Sequence, residues 1–132
     1  MLIKDFEKKW MSCFANDIDK EAIQKYVVAT GNYIWHVFSW ELLPKENYLT
    51  GDAARKAYSI LSEHQRECAL YIERPMAHFG DEKSFSLSPK DSTAEKLDNY
   101  KEIYVAAADF SWTYIKTHEG DSCGPYFYRK EE

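Results

Sequence analysis

Basic residues are sparse and scattered in this sequence, and the longest basic run is the pair Lys8-Lys9. The formal net charge is −5 and the isoelectric point is about 5.4. Nucleic-acid-binding domains normally carry a basic patch, and membrane-surface helices carry a basic face. We therefore expect no nucleic-acid partner and no membrane association, whereas an acidic surface suits a basic protein partner.

Long apolar runs are absent as well. No stretch reaches the ~18 apolar residues that a membrane-spanning helix needs, and the N-terminal segment MLIKDFEKKW lacks the apolar core of a signal peptide. The three cysteines, Cys13, Cys68 and Cys123, are odd in number and widely spaced, which does not fit a disulfide framework. The sequence therefore predicts a cytoplasmic protein with reduced thiols.

No sequence motif names a reaction, and neither internal repeats nor low-complexity tracts occur. The length of 132 residues favours a single domain over residues 1–132 that buries roughly two thirds of its unfolded surface. Aromatic residues make up 16% of the chain, as ten Tyr, seven Phe and four Trp. Because each large ring buries ~150–250 Å², the simplest use of so many is a core rich in rings.

The first half of the chain has mostly helical periodicity. Residues 2–14 form an amphipathic pattern, and a second helix runs from a cap at Asp17 or Asp19 to about Thr30. The segment NYIWHVFSW (32–40) is apolar on both alternating faces and predicts a central strand that carries His36. Residues 48–64 predict a third helix that begins near Thr50 or Asp52.

The second half alternates strand patterns with turns. Residues 68–75 predict a strand, residues 75–91 a long loop, and STAE (92–95) a capping box before a short helix. EIYVAAAD and SWTYIKTHE predict a hairpin that turns at Asp109-Phe110, and PYFYR predicts a last strand. This order predicts an α+β fold with one mostly antiparallel sheet of four to five strands and with N-terminal and central helices packed on a face.

Polar residues near the C-terminus suggest three kinds of chemistry. His118, Glu119, Asp121 and Cys123 are close in sequence, but their spacing matches no zinc signature, even with His36 or His78 added, so we expect no metal and no cofactor. Cys123 with His118, oriented by Asp109 or Asp121, would make a thiol nucleophile. Strand-end acids, which include Glu119 and Asp109, could act as an acid–base pair, although a solvated rim of the sheet is the simpler explanation for them.

Aromatic side chains on the predicted strands suggest an interaction surface instead. Tyr and Trp anchor protein interfaces because they bury a large area while keeping a polar tip. The candidate binding residues are Trp35, Trp40, Trp112, Tyr114 and Tyr126. The alternative is that helices within residues 1–30 and 50–63 cover these rings completely.

The C-terminal quarter resembles a known pattern. DFSWT (109–113), THE (117–119) and CGPYF (123–127) resemble the signature of a family of small bacterial proteins, common in Bacillus and its relatives, whose function is unknown. The ending is also loosely similar to several bacterial immunity proteins in size, acidity and aromatic strands. The resemblance implies no activity and no residue roles.

These observations lead to three hypotheses of function. The first is a non-enzymatic protein-binding module, comparable to an immunity protein or an antitoxin. The alternative is a small hydrolase or metal-dependent enzyme centred on His118, Glu119 and Cys123. The third is a structural protein that self-associates.

Overall fold

A computed structural model describes residues 1–75 and 80–130 of the chain. Its centre is a five-stranded antiparallel sheet with the strand order β1-β5-β4-β3-β2. The strands are β1 (Tyr48–Thr50), β2 (Leu70–Glu73), β3 (Ile103–Ala106), β4 (Trp112–Lys116) and β5 (Tyr126–Arg129). The predicted α+β class with one antiparallel sheet is confirmed.

Six α-helices surround this sheet in the described part of the chain. They are α1 (Ile3–Phe14), α2 (Lys20–Tyr26), α3 (His36–Ser39), α4 (Asp52–Ser59), α5 (Glu63–Glu67) and α6 (Ala94–Leu97). Asp19 caps α2 as predicted, because its carboxylate accepts a hydrogen bond from the Glu21 amide. Among the described residues, no helix is long and apolar enough to cross a bilayer.

Both faces of the sheet are buried, each under its own set of helices. Because strand side chains alternate, Tyr104, Ile115 and Tyr126 pack on one face with residues of α1 and α3. Val105, Tyr114 and Phe127 pack on the other face with residues of α4 and α6. The aromatic content therefore fills two cores rather than one.

The predicted strand over residues 32–40 is wrong, because this segment forms the short helix α3. Its backbone bonds are local: the Val37 amide donates to Ile34 at 3.2 Å, and the Phe38 amide donates to Trp35 at 3.0 Å. The buried residues Ile34, Trp35, Val37 and Phe38 have the i, i+3, i+4 spacing of a buried helical face. A segment that is apolar at nearly every position fits a strand pattern and this helical spacing equally well. Tertiary packing then decides between them and overrides β propensity.

Although a helix does begin at Asp52 as predicted, the single helix predicted over residues 48–64 is wrong in its extent. Its first residues form the edge strand β1, which pairs with β5. Gly51, at φ 65°, then turns the chain into α4. Ser62 begins α5 with a capping box, in which its hydroxyl accepts from the Gln65 amide and its own amide donates to the Gln65 side chain.

The predicted hairpin at Asp109-Phe110 is confirmed. The Ala107 amide donates to Trp112 at 3.0 Å, and the Phe110 amide donates to Ala107 at 2.8 Å. Phe110 adopts φ 55° although it is not glycine, and its fully buried ring packs 5.4 Å from the Phe6 ring. Burial of the ring offsets the cost of this left-handed backbone conformation.

The region before β3 follows the predicted pattern with small shifts. Thr93, rather than Ser92, caps α6 by accepting from the Lys96 amide at 3.2 Å. Within the predicted loop 75–91, residues 76–79 lie outside the described residues. Phe85 exchanges two backbone hydrogen bonds with Tyr71 of β2, so this segment covers the outer edge of that strand.

Candidate functional site

The two predicted catalytic positions Asp109 and His118 lie at opposite ends of β4. Asp109 sits in the turn that precedes the strand, and His118 lies two residues beyond the last residue of the strand. The Asp109 carboxylate accepts a hydrogen bond from the Ser111 amide at 3.0 Å. Bonds from Ser111 hold the pKa of this carboxyl below its usual value. Asp109 therefore stabilises a turn and is remote from His118.

Cys123 does not join His118 in the arrangement that a thiol nucleophile requires. In the described part of the chain, no hydrogen bond links the Cys123 sulfur to His118, and the Cys123 carbonyl accepts from the Thr117 hydroxyl. Burial, followed by the nearby Glu119 charge, raises the pKa of the Cys123 thiol. A nucleophilic cysteine needs the opposite shift. The side chain of Asp121 and the residue His78 lie outside the described structure.

Instead, His118 is bound by Glu102, a residue that the sequence analysis missed. His118 Nδ1–H donates to Glu102 Oε1 at 2.8 Å, and the His118 amide donates to the same oxygen at 3.2 Å. The strand register pairs Ile103 with Lys116, so the residues that flank the two strands are adjacent. His118 Nε2 lies 3.4 Å from Glu119 Oε1.

Glu102 is a buried carboxylate with four hydrogen-bond donors. Only 1% of the residue is exposed. Besides the two bonds from His118, Trp35 Nε1–H donates to Oε1 at 3.0 Å and the Tyr104 hydroxyl donates to Oε2 at 2.7 Å. Burying a charge is costly unless it is hydrogen-bonded, and charge-assisted bonds are roughly twice as strong as neutral ones. Glu102 therefore ties α3 to the ends of β3 and β4.

Arg74 brings a buried positive charge to the same region. Its Nη2 donates to the Gly31 carbonyl at 2.9 Å, and its guanidinium carbon lies 3.9 Å from the centre of the Tyr33 ring. Burial and the Glu102 charge raise the pKa of Tyr104, and the Arg74 charge partly opposes them. The Tyr33 ring in turn lies 5.0 Å from the His118 ring. Arg74 thus fixes the position of Tyr33 beside His118.

His36 extends this group of rings toward α2. Its Nδ1 lies 3.0 Å from the Tyr26 carbonyl and 2.6 Å from the Thr30 hydroxyl, and its ring centre is 5.4 Å from that of Tyr33. Burial lowers the pKa of His36. Beyond it, the Tyr26 ring packs 5.3 Å from Trp40.

These contacts connect five partly or largely exposed aromatic residues across the surface, from the end of α3 to the end of β4, and the Tyr26 backbone carbonyl is the link between Tyr26 and His36. We call them the aromatic run: Trp40, Tyr26, His36, Tyr33 and His118. Trp40 is the most open of the five, with 52% of the residue exposed.

Of the predicted binding residues, Trp40 is the one that presents its ring to solvent. Trp35, Trp112, Tyr114 and Tyr126 are buried because they fill the two sheet faces. Tyr114 stacks 4.4 Å from Tyr58, and Tyr126 stacks 4.8 Å from Phe38. These four rings cannot touch a partner without opening the core.

Grooves of about 520 and 550 Å³ lie away from the aromatic run. One lies beside Glu73 and Tyr100, and the other lies between Cys13 and Tyr128. His118 lines neither groove. Over residues 1–75 and 80–130, no group of three or more His, Cys, Asp or Glu side chains is placed to hold a metal ion.

Comparison with known proteins identifies one family. The model of the family described as Domain of unknown function (DUF4275) matches residues 3–127. No curated protein and no solved structure gives a significant match. The expected membership of an uncharacterised family is confirmed: the chain belongs to the DUF4275 family.

Proposed function

We propose that this protein is a non-enzymatic protein-binding module that contacts its partner through the aromatic run. The observation that supports this proposal is the series of partly exposed rings from Trp40 to His118. Ring contacts join Trp40 to Tyr26, and His36 through Tyr33 to His118, and the Tyr26 carbonyl connects the two groups through His36. Tyr and Trp side chains are enriched at the energetic centres of interfaces. Clustered exposed rings on a small domain are also uncommon without a partner.

The aromatic run is held rigidly, which favours binding. Glu102 fixes His118 through two hydrogen bonds, and the Arg74 guanidinium packs on Tyr33. A partner that docks on fixed rings immobilises few side chains, and each rotamer-rich side chain that must be ordered costs about 0.5–1.5 kcal/mol. Preorganisation of this kind increases affinity without added contact area.

The expected partner is a protein that presents arginine and lysine side chains. The chain has a net charge of −5, and the half-exposed Glu119 carboxylate lies next to His118 at one end of the aromatic run. A cation can stack on a Tyr or Trp face and pair with an adjacent carboxylate. A small acidic protein that neutralises a basic protein toxin, as an immunity protein or antitoxin does, has this chemistry.

Site-specific photo-crosslinking tests the proposal. A photoreactive phenylalanine analogue replaces Trp40 in one variant and Ile60 in another, since Ile60 is 84% exposed and lies outside the aromatic run. We expect one defined protein to be captured in cells at position 40 and not at position 60. Equal capture at both positions, or no capture at position 40, would overturn the proposal.

Affinity for the captured protein provides the second readout. Trp40→Ala should weaken binding at least about tenfold, as loss of a central interface ring does, whereas Ile60→Ala should leave it unchanged. Because both residues are exposed, the free energy of unfolding of both variants, measured in urea, should stay within about 1 kcal/mol of that of the parent chain. Unchanged affinity in the Trp40 variant would show that the aromatic run is not the contact surface.

Acid–base catalysis at His118 is a second candidate function, favoured by the Glu102–His118 bond. A buried carboxylate on Nδ1 orients an imidazole so that Nε2 can accept a proton. In place of the alternative centred on His118, Glu119 and Cys123, this candidate is a hydrolase that uses Glu102 and His118. Chromogenic esters and phosphodiesters provide the assay: turnover must exceed that of His118→Ala, and equal rates would eliminate this function.

We also propose that the protein acts in the bacterial cytoplasm. All three cysteines are unpaired, as expected in a reducing compartment.

Self-association through the aromatic run is the competing structural role, and light scattering tests it. A dimer that Trp40→Ala dissociates would assign the surface to a second copy of the chain rather than to a different protein.

A further inference from the structure

A cysteine and a histidine are in contact at the other end of β4 from the aromatic run. Cys68 follows α5, and its sulfur lies 3.8 Å from Nδ1 and 3.7 Å from Nε2 of His64. The Cys68 amide donates to the His64 carbonyl at 3.0 Å, which fixes their spacing by one helical turn. Both residues are exposed.

The Cys68–His64 pair opens into a groove of about 320 Å³ between α5 and the β3–β4 turn. The nearly buried Trp112 lines this groove. Asp109 and Ser111 also line it. Hydrogen bonds from Ser111 lower the pKa of Asp109, so the groove contains a thiol, an imidazole and an ionised carboxylate.

We propose that Cys68 is a thiol–disulfide exchange site for low-molecular-weight disulfides that carry an amino group, with His64 as the proton acceptor. A thiol beside an imidazole is the arrangement of an assisted nucleophile. The Asp109 carboxylate attracts an ammonium group and repels a carboxylate. Neither feature belongs to the aromatic run, so the exchange site is independent of partner binding there.

The exchange is balanced without a further reagent. The Cys68 thiol proton passes to His64, and the sulfur attacks one sulfur of the incoming disulfide. A new S–S bond forms as the original S–S bond breaks, and the departing thiolate takes the proton from His64. The protein gains a mixed disulfide, one small thiol is released, and the incoming disulfide is the oxidant.

The other two cysteines serve as internal controls. Cys13 and Cys123 are partly buried, and burial raises the pKa of the Cys123 thiol. In the described part of the chain, neither sulfur has a histidine nitrogen within hydrogen-bond distance. If exposure alone governed reactivity, the three thiols would react in the order of their exposure. Substitutions at His64 or Asp109 would then leave the rate at Cys68 unchanged.

The test uses the reduced full-length protein with two probes, the diamine cystamine and the dicarboxylate dithiodiglycolate. Intact-mass spectrometry of acid-quenched samples gives the rates, and peptide mapping assigns the modified cysteine. We expect Cys68 to react with cystamine about tenfold faster than Cys13 or Cys123. Attraction between the Asp109 carboxylate and the ammonium groups of cystamine raises the encounter rate by about this factor. Dithiodiglycolate should react more slowly.

Two conservative variants separate the roles of the neighbours. His64→Gln should slow exchange at Cys68 with both probes. Asp109→Asn, which keeps an acceptor for the Ser111 amide, should remove the preference for cystamine. Equal rates at all three cysteines, an unchanged rate in His64→Gln or an unchanged preference in Asp109→Asn would each overturn the proposal. Matching urea midpoints exclude unfolding as the cause of any change.

Discussion

Replacing Glu102 with alanine should be among the most damaging single changes in the fold. The substitution removes the acceptor of four hydrogen bonds, two from His118 and one each from Trp35 and Tyr104. The Trp35 and Tyr104 donors are buried, and each unpaired buried donor costs about 1–3 kcal/mol. We therefore expect a loss of about 3–5 kcal/mol, against a total stability of about 5–15 kcal/mol for a typical domain.

Glu102→Gln provides the matched comparison. The carboxylate takes three of its four bonds through Oε1, and an amide oxygen at that position can accept the same three. The amide nitrogen can then donate to the Tyr104 hydroxyl oxygen, which reverses the fourth bond. The charge is lost and the buried Tyr104 O–H no longer has an acceptor. Because the three bonds to the remaining oxygen are kept, the cost should be about 2–3 kcal/mol, below that of alanine.

Urea unfolding at pH 7.5, followed by tryptophan fluorescence and linear extrapolation, gives these free energies. Glu119→Ala is the control, because Glu119 is half-exposed and next to His118; a surface change of this kind costs about 0.5 kcal/mol or less. If Glu102→Ala cost no more than the control, Glu102 would not stabilise the fold. If Gln cost as much as Ala, charge rather than bond geometry would be the source of stability.

Three further substitutions test other contacts by urea unfolding. Thr113→Val should lower the free energy of unfolding by about 1–3 kcal/mol, because the buried Trp10 Nε1–H loses its acceptor at 2.9 Å. In a Trp10→Phe background the same substitution should cost less, and an equal cost would contradict this reason. Burial lowers the pKa of His36 below 6.5, so the unfolded chain takes up the proton first and stability falls as the pH drops below about 6.5; His36→Gln should flatten that decline, and an unchanged slope would refute it. Gly124→Ala should cost about 1–3 kcal/mol, because φ is +100° and the added carbon meets the Tyr126 ring at 3.1 Å, whereas a neutral result would require the loop to shift.

The sequence allowed the strands from residue 68 onward to be predicted because each has a turn signal at its ends. Asp109-Phe110 separates two strongly β-prone runs, and polar turn residues precede β5. The strand prediction for residues 32–40 was wrong because the residue pattern of this segment does not distinguish a strand from a helix. Their rings satisfy both a two-residue and a helical period, and only their packing against α1 and the sheet decides between them.

The candidate site was only partly predictable. His118 was identified from its position, but its partner Glu102 lies sixteen residues away, and the contact follows only once the hairpin register is known. That register was a usable signal, since a turn at residues 109–110 places the start of β3 beside the end of β4. Trp35 was assigned to a strand, so its bond to Glu102 could not be foreseen. Exposure of Trp40 and burial of Trp112 depend on helix placement, which residue type does not encode.

The two borders of the sheet have a consequence for how this protein behaves at high concentration. One border, β1, is only three residues long and ends at Gly51, while the other, β2, already exchanges hydrogen bonds with Phe85. Long unpaired borders are templates for stacking one molecule onto the next. Because both borders are short or occupied, we expect the chain to resist fibrous aggregation despite its many β-prone aromatic segments, and to associate through side-chain surfaces instead.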